Sequence, residues 1–366
     1  GSTWTASFMK DRYGAASMSA TSVAIYGQIL LPYGHKVATY SGKHKASRLD
    51  ETITYLGQAS SKHVECTDCH DAHDAAKGTH IVGTVNGNKV GPALQGVQGL
   101  SVTLPGTVWT TPTAGAYSWV ETATYEYQVC IKCHTTGANA ALASWGGSGA
   151  SAWTDVALEF NTANRSFHPV MGAIGSTKAL TASWMDAGWQ AVCTQTMTCS
   201  DCHGDSNATP AAMGPHGSSI PHILKGYWPI YPGADGVLGT SDDAPYTING
   251  LSGGSQPGIL CDKCHEGFQN QKAHSQNASH RSAYCYNCHI VVPHGGKLDR
   301  LIGDNGLDGV GDMPSRYAYN NTKSNLKIQK YTRDPSGAIS DTNCSVDSGC
   351  QTGARHKNPS AGLNDW

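Results

Sequence analysis

Charge is scarce in this sequence. Only 14% of its 366 residues are Asp, Glu, Lys or Arg, against about 25% in an average soluble domain. The net charge of −2, with histidine neutral, gives no footprint for nucleic acid or an anionic membrane. Long apolar runs are missing too. The longest candidate, Ala24 to Pro32, falls far short of the roughly 18 residues that read as a membrane span. Phenylalanine is reduced to 4 residues, while Gly alone contributes 43. The chain is long enough for one large domain or two to three smaller ones, yet poor in the side chains that fill such cores. Something other than aliphatic residues must supply part of the interior, and bound cofactors are the obvious candidate.

Cysteine and histidine are what the sequence has instead: 13 and 17 residues. Ten of the cysteines fall into five copies of Cys-x-x-Cys-His: Cys66/Cys69/His70, Cys130/Cys133/His134, Cys199/Cys202/His203, Cys261/Cys264/His265 and Cys285/Cys288/His289. The motif is a haem c attachment signature. Cysteines three apart lie on neighbouring faces of one helical turn, so both sulfurs reach the two vinyl groups of one haem, and the next histidine stands under the iron as proximal ligand. Zinc is the competing reading, because Cys261/Cys264 and Cys285/Cys288 are spaced like a zinc ribbon. A ribbon needs no histidine behind each pair, and it leaves the other three motifs unexplained. Five covalent haems are the expectation.

Six-coordinate irons need five more ligands, and twelve histidines remain outside the motifs. Methionine would raise the potential, but the 7 Met hold no repeating position relative to the motifs. Local context selects His73, His168, His216 and His294 as distal ligands, with His63 and His280 next. His35, His44, His80, His222, His274 and His356 rank below them. Irons with two histidines are saturated, so they pass electrons and bind no substrate. An oxyanion reductase needs one open iron, which no motif here marks. The expectation is an electron-transfer protein and not an enzyme.

Lys62 to His134, Asn164 to His168 and Met197 to Ser218 resemble the paired Cys-x-x-Cys-His cytochromes of metal-respiring bacteria and archaea. In that family the histidine three residues past the motif histidine is commonly distal, which supports His73. Some relatives are outer-surface cytochromes that polymerise into conductive filaments, one histidine ligating a haem of the neighbouring subunit. The resemblance implies an exported protein at the cell surface or outside the cell, with the periplasm as alternative. It also implies copies of itself and redox proteins or extracellular acceptors as partners. This chain differs from better known members in its five motifs and long motif-free ends.

The expected fold is a multihaem cytochrome c, mostly coil with short helices and a few small hairpins, its core built around stacked haems. Residues 1–60 and 295–366 carry no motif and flank a haem-bearing region, 61–294, as parts of one continuous unit. A hairpin is expected over Thr79 to Val90 around Asn86-Gly87, and helices over Thr124 to His134 and Leu180 to Val192. Cys344 and Cys350 are spaced for a short disulfide loop in an oxidising compartment, while Cys193 has no assigned role. Two loops, Asp235 to Asp243 and Asp304 to Asp312, read as solvated Asp/Gly turns; calcium is the alternative, through their hard oxygens.

Overall fold

In the computed structural model the described residues are 25–35, 37, 64–76, 87–135, 155–176, 181–206, 214–252, 255–265, 284–287, 289–302, 328–331 and 344–346. Regular structure within them is brief. The helices run five residues at most, as in Ile25–Ile29 and Glu126–Cys130. The strands pair in twos: Tyr33–Gly34 with Gly217–Ser218, Gly99–Val102 with Tyr117–Val120, Ser166–Phe167 with Gly295–Gly296, Ile230–Tyr231 with Ala244–Pro245, and Ile328–Tyr331 with Cys344–Val346. All five pairs are antiparallel.

Each Cys-x-x-Cys-His stretch closes a single helical turn, with the histidine N–H donating to the carbonyl of the first cysteine. The five distances, from His70 through His134, His203, His265 and His289, are 2.8, 3.1, 2.9, 2.9 and 3.0 Å. So short a turn cannot stand alone and is held at its start. Glu65 N donates to Asp68 Oδ2 at 2.7 Å and Thr198 N to Asp201 Oδ2 at 2.7 Å, while Tyr125 N reaches Gln128 Oε1 at 3.1 Å. The side chain three residues in thus satisfies the N-cap amide. The turns are also tied to one another. Lys132 Nζ donates to Asp68 O and Lys225 Nζ to Ser200 O, and the Glu126 carboxylate accepts from Ser200 N and Ser200 Oγ, both at 2.8 Å.

The apolar side chains gather around these turns. Leu100, Tyr127, Ile131, Phe160, Val170, Met185, Trp189 and Met197 form the largest cluster, with Cys199, Cys202 and Cys264 against it. A smaller group, Val97, Ala123 and Val129, packs on Cys69, and a third, Ile220, Leu224 and Leu260, packs on Cys202.

Two of the strand pairs are copies of one device, which we call a bracket. In the first, Tyr33–Gly34 leads into His35 and pairs with the segment after His216, and the helix Ile25–Ile29 backs it. In the second, Ser166–Phe167 leads into His168 and pairs with the segment after His294, and the helix Val156–Glu159 backs it. Gly217 and Gly295 sit at the same point of each. A Cβ on Gly217 would lie 1.9 Å from Gln28 O, and one on Gly295 would lie 1.9 Å from Glu159 O. Both brackets reach beyond the motif-bearing region: residues 25–35 and 295–302 are part of the same body as the motifs, so boundaries at 60 and 294 do not separate structural units.

The helix at Thr124 to His134 is present as Glu126–Cys130 and runs on in turns to His134. Leu180 to Val192 is corrected: Ala182–Trp184 and Ala187–Trp189 are separate 3₁₀ turns, interrupted at Met185 by extended backbone (φ −119°, ψ 146°). The reason is a long-range bond, Asp186 N to Cys264 O at 3.0 Å, which takes an amide that a continuous helix would use. The expected hairpin over Thr79 to Val90 lies mainly outside the described residues; of it, Lys89 bridges Tyr125.

Gly295→Ala and Gly217→Ala should each destabilise the fold by about 2 kcal/mol or more, because the new methyl overlaps a backbone oxygen. Gly106→Ala, where nothing lies within 4 Å, should stay within about 0.5 kcal/mol. Chemical denaturation of the three variants measures the difference.

Candidate metal centre

Four motif histidines each face one histidine from outside the motifs. His70 lies opposite His216 with ring centroids 6.0 Å apart, and His203 opposite His294 at 6.0 Å. His134 faces His35 and His265 faces His168, both at 6.3 Å. With metal–nitrogen bonds of about 2 Å and a ring nitrogen roughly 1.1 Å from its centroid, two imidazoles on opposite sides of one metal have centroids ~6 Å apart. The residues therefore fit an iron held between them.

The second nitrogens agree. His70 Nδ1 donates to Ala93 O at 2.8 Å, His203 Nδ1 to His222 O at 2.8 Å, and His289 Nδ1 to Arg300 O at 3.2 Å. Each acceptor is the middle residue of a three-residue 3₁₀ turn: Pro92–Leu94, Pro221–Ile223 or Asp299–Leu301. On the distal side His35 Nδ1 donates to Pro215 O at 2.9 Å and His168 Nδ1 to Pro293 O. A carbonyl has no proton to give, so Nδ1 carries the hydrogen and Nε2 keeps its lone pair for a metal. Burial pushes His134, His216 and His265 down to about 4 and His203 down to about 3, and it lowers His168 as well. These rings are neutral at physiological pH, the form that ligates.

Burial pushes the Cys69, Cys133, Cys202 and Cys261 thiols up to about 12, so these four sulfurs are protonated in the metal-free chain. Among the described residues, the one group able to converge on a single ion is Glu126, Cys130 and Cys199. Its two cysteines belong to different motifs, and its carboxylate already accepts from Ser200.

The centres follow one another in chain order. His216 is lowered by burial and then by both His70 and His35; His134 by burial, then by His35 and His294; His265 by burial, then by His168 and His289. His168 is lowered by burial and also by His294, so each of the four pairs feels the next and the fourth feels His289.

Of the distal candidates, His168, His216 and His294 stand in facing pairs. His73 does not. It is exposed in the turn after the first motif, where His73 N and Asp74 N both donate to Asp71 Oδ1 at 2.8 and 3.3 Å, and His216 takes the place opposite His70. His63, His280 and Cys288 lie outside the described residues, as do Cys350 and the loop Asp304 to Asp312. His35, ranked low on sequence, is the ligand candidate that the structure adds: Tyr33-Gly34-His35 and Ser166-Phe167-His168 occupy the same place in the two brackets, a match that only the strand pairing shows. In the loop Asp235 to Asp243, Asp242 Oδ2 accepts from Ala234 N at 2.8 Å and Asp243 Oδ2 from Gly239 N at 2.6 Å. The carboxylates close the turn on itself. No described helix is long and apolar enough to cross a membrane.

Comparison with protein-family models, with curated proteins and with solved structures gives no match.

The lowered histidines set a pH dependence. In the unfolded chain they titrate near 6.5, and in the fold near 3 to 4. Between those values the unfolded chain binds protons that the fold excludes, so stability falls as pH drops through 6.5 and levels off once the folded-state values are passed. The denaturant midpoint should fall steadily between neutral pH and about pH 4; a flat profile would show that these rings are not held neutral.

Proposed function

We propose that this chain is a multihaem c-type cytochrome that carries five covalently attached haems and passes electrons along them. The observation that carries this reading is the set of four facing histidine pairs, each joining one motif histidine to one histidine from elsewhere at the separation two axial ligands need. Haem held there supplies a one-electron iron couple with both axial positions filled. The chain's own residues do the rest. The paired cysteines anchor the group, the carbonyls at Ala93, His222, Pro215 and Pro293 fix the tautomer and orientation of His70, His203, His35 and His168, and the apolar clusters pack against the motif turns. The order of the pairs gives a linear path, and saturated centres favour transfer over catalysis.

We further infer that the protein is exported and assembles with copies of itself into a filament at the cell surface. Ile25 is 40% exposed, Leu30 60% and Tyr33 39%, all on the segment that delivers His35. A second copy lying along this face covers them. The exposed His73 is placed to reach a neighbour.

Denaturing mass spectrometry should show the polypeptide plus five haem masses. A metal-loaded chain without haem overturns the reading. His35→Ala should keep all five haems, since the thioethers remain, yet convert one low-spin centre to high spin by EPR; five unchanged low-spin signals would remove His35 from the ligand set. Electron microscopy of native material should show uniform filaments, and a monodisperse monomer at high concentration would sink the assembly while leaving electron transfer intact.

A further inference from the structure

The two brackets differ at one buried position, and that position touches a distal ligand in each. In the first bracket His216 Nδ1 donates to the Gln28 amide oxygen at 3.2 Å, and Gln28 is fully buried. In the second, His294 Nδ1 donates to the Glu159 carboxylate, which is 2% exposed. The backbones correspond: each residue lies in the last turn of the short helix behind the bracket, and its carbonyl lies against the glycine that follows the histidine. The partner of the ring is neutral in one copy and acidic in the other.

Glu159 is held there by the surrounding fold. Asp155 caps its helix by accepting from Ala157 N at 2.9 Å, Asn164 Nδ2 donates to Glu159 O at 3.0 Å, and the Phe160 ring lies 4.6 Å from that of His294. In the first bracket an acid is present one hydrogen bond further out, where Gln28 Nε2 donates to Asp205 Oδ2 at 3.0 Å. The amide separates that charge from the imidazole.

We propose that Glu159 is a positioning residue that lowers the reduction potential of the centre held by His203 and His294 below that of its repeat-related centre at His70 and His216. The proposal rests on the haem reading above. A carboxylate that accepts the Nδ1 proton makes the imidazole a stronger donor through Nε2 and so favours the oxidised iron. A neutral amide does this less. Burial magnifies the difference, since little water screens the charge. Two centres built on the same bracket are thus set apart by one side chain.

The test is a redox titration of the full haem-loaded protein, followed optically and by EPR and resolved into five one-electron components. Glu159→Gln should move one component to more positive potential and leave the other four. A tenfold change in the reduction equilibrium corresponds to about 59 mV for one electron. The double variant Gln28→Glu with Asp205→Asn conserves charge and should move a different component to more negative potential. Five unmoved components in Glu159→Gln, with five haems attached and low spin, overturn the proposal. If Glu159→Gln fails to fold, the double variant decides, and unmoved components there overturn it. A wild-type protein without attached haem fails at the mass spectrum, before any titration, and removes the functional reading itself.

Discussion

The fold depends on one demand: two imidazoles must face each other across a gap of about 6 Å, with at least one outer nitrogen of each pair hydrogen-bonded. One ring of a pair is easily placed, because it ends the motif turn. The other must be brought from far along the chain and held still. His35 reaches His134, and His216 reaches His70. Long strands or helices are not needed for this. Two antiparallel residues, a backing helix of four or five, and a glycine where the backbones press together are sufficient. Elements this short are marginal alone, so the histidine pairs and the elements that carry them are stable only together.

The same demand explains where the apolar residues went. A chain with 14% charge and 4 Phe does not fill a single large interior. It divides its buried Leu, Ile, Val and aromatic side chains into clusters that sit on motif cysteines. Each cluster needs a surface to close against. On the proposed reading that surface is haem, and the under-supplied core seen in the composition is the counterpart of five large apolar groups.

What was legible in the sequence was local. The Cys-x-x-Cys-His spacing gives a one-turn helix because cysteine and histidine lie within one hydrogen-bonded turn, and each described motif closes it. His216 and His294 were legible from matching Pro-His-Gly surroundings, and the brackets make that match physical: Pro215 and Pro293 supply the carbonyls that fix the opposite ligand. His35 was not legible, because Tyr33-Gly34-His35 gains its meaning only by pairing with residues 217–218. His73 was favoured by its position after a motif, and in the structure it is exposed in a turn held by Asp71. Leu180 to Val192 has helix-like composition, and a bond to Cys264 divides it.

The brackets also interlace the chain. The segment after the third motif carries His216, which faces the first motif's histidine; the segment after the fifth carries His294, which faces the third's. His35 and His168, from the opposite strands of the two brackets, face the second and fourth motif histidines. Each bracket therefore closes two consecutive centres and binds each of them to sequence far away. None of the four histidine pairs can be completed by a stretch of chain that folds alone. Pairs that follow one another in motif order are in this way made from segments far apart in sequence, and their spacing is guarded by cooperative structure rather than by any single contact. On the proposed reading, damage to one bracket is felt at both pairs it closes, while the thioether anchors stay in place.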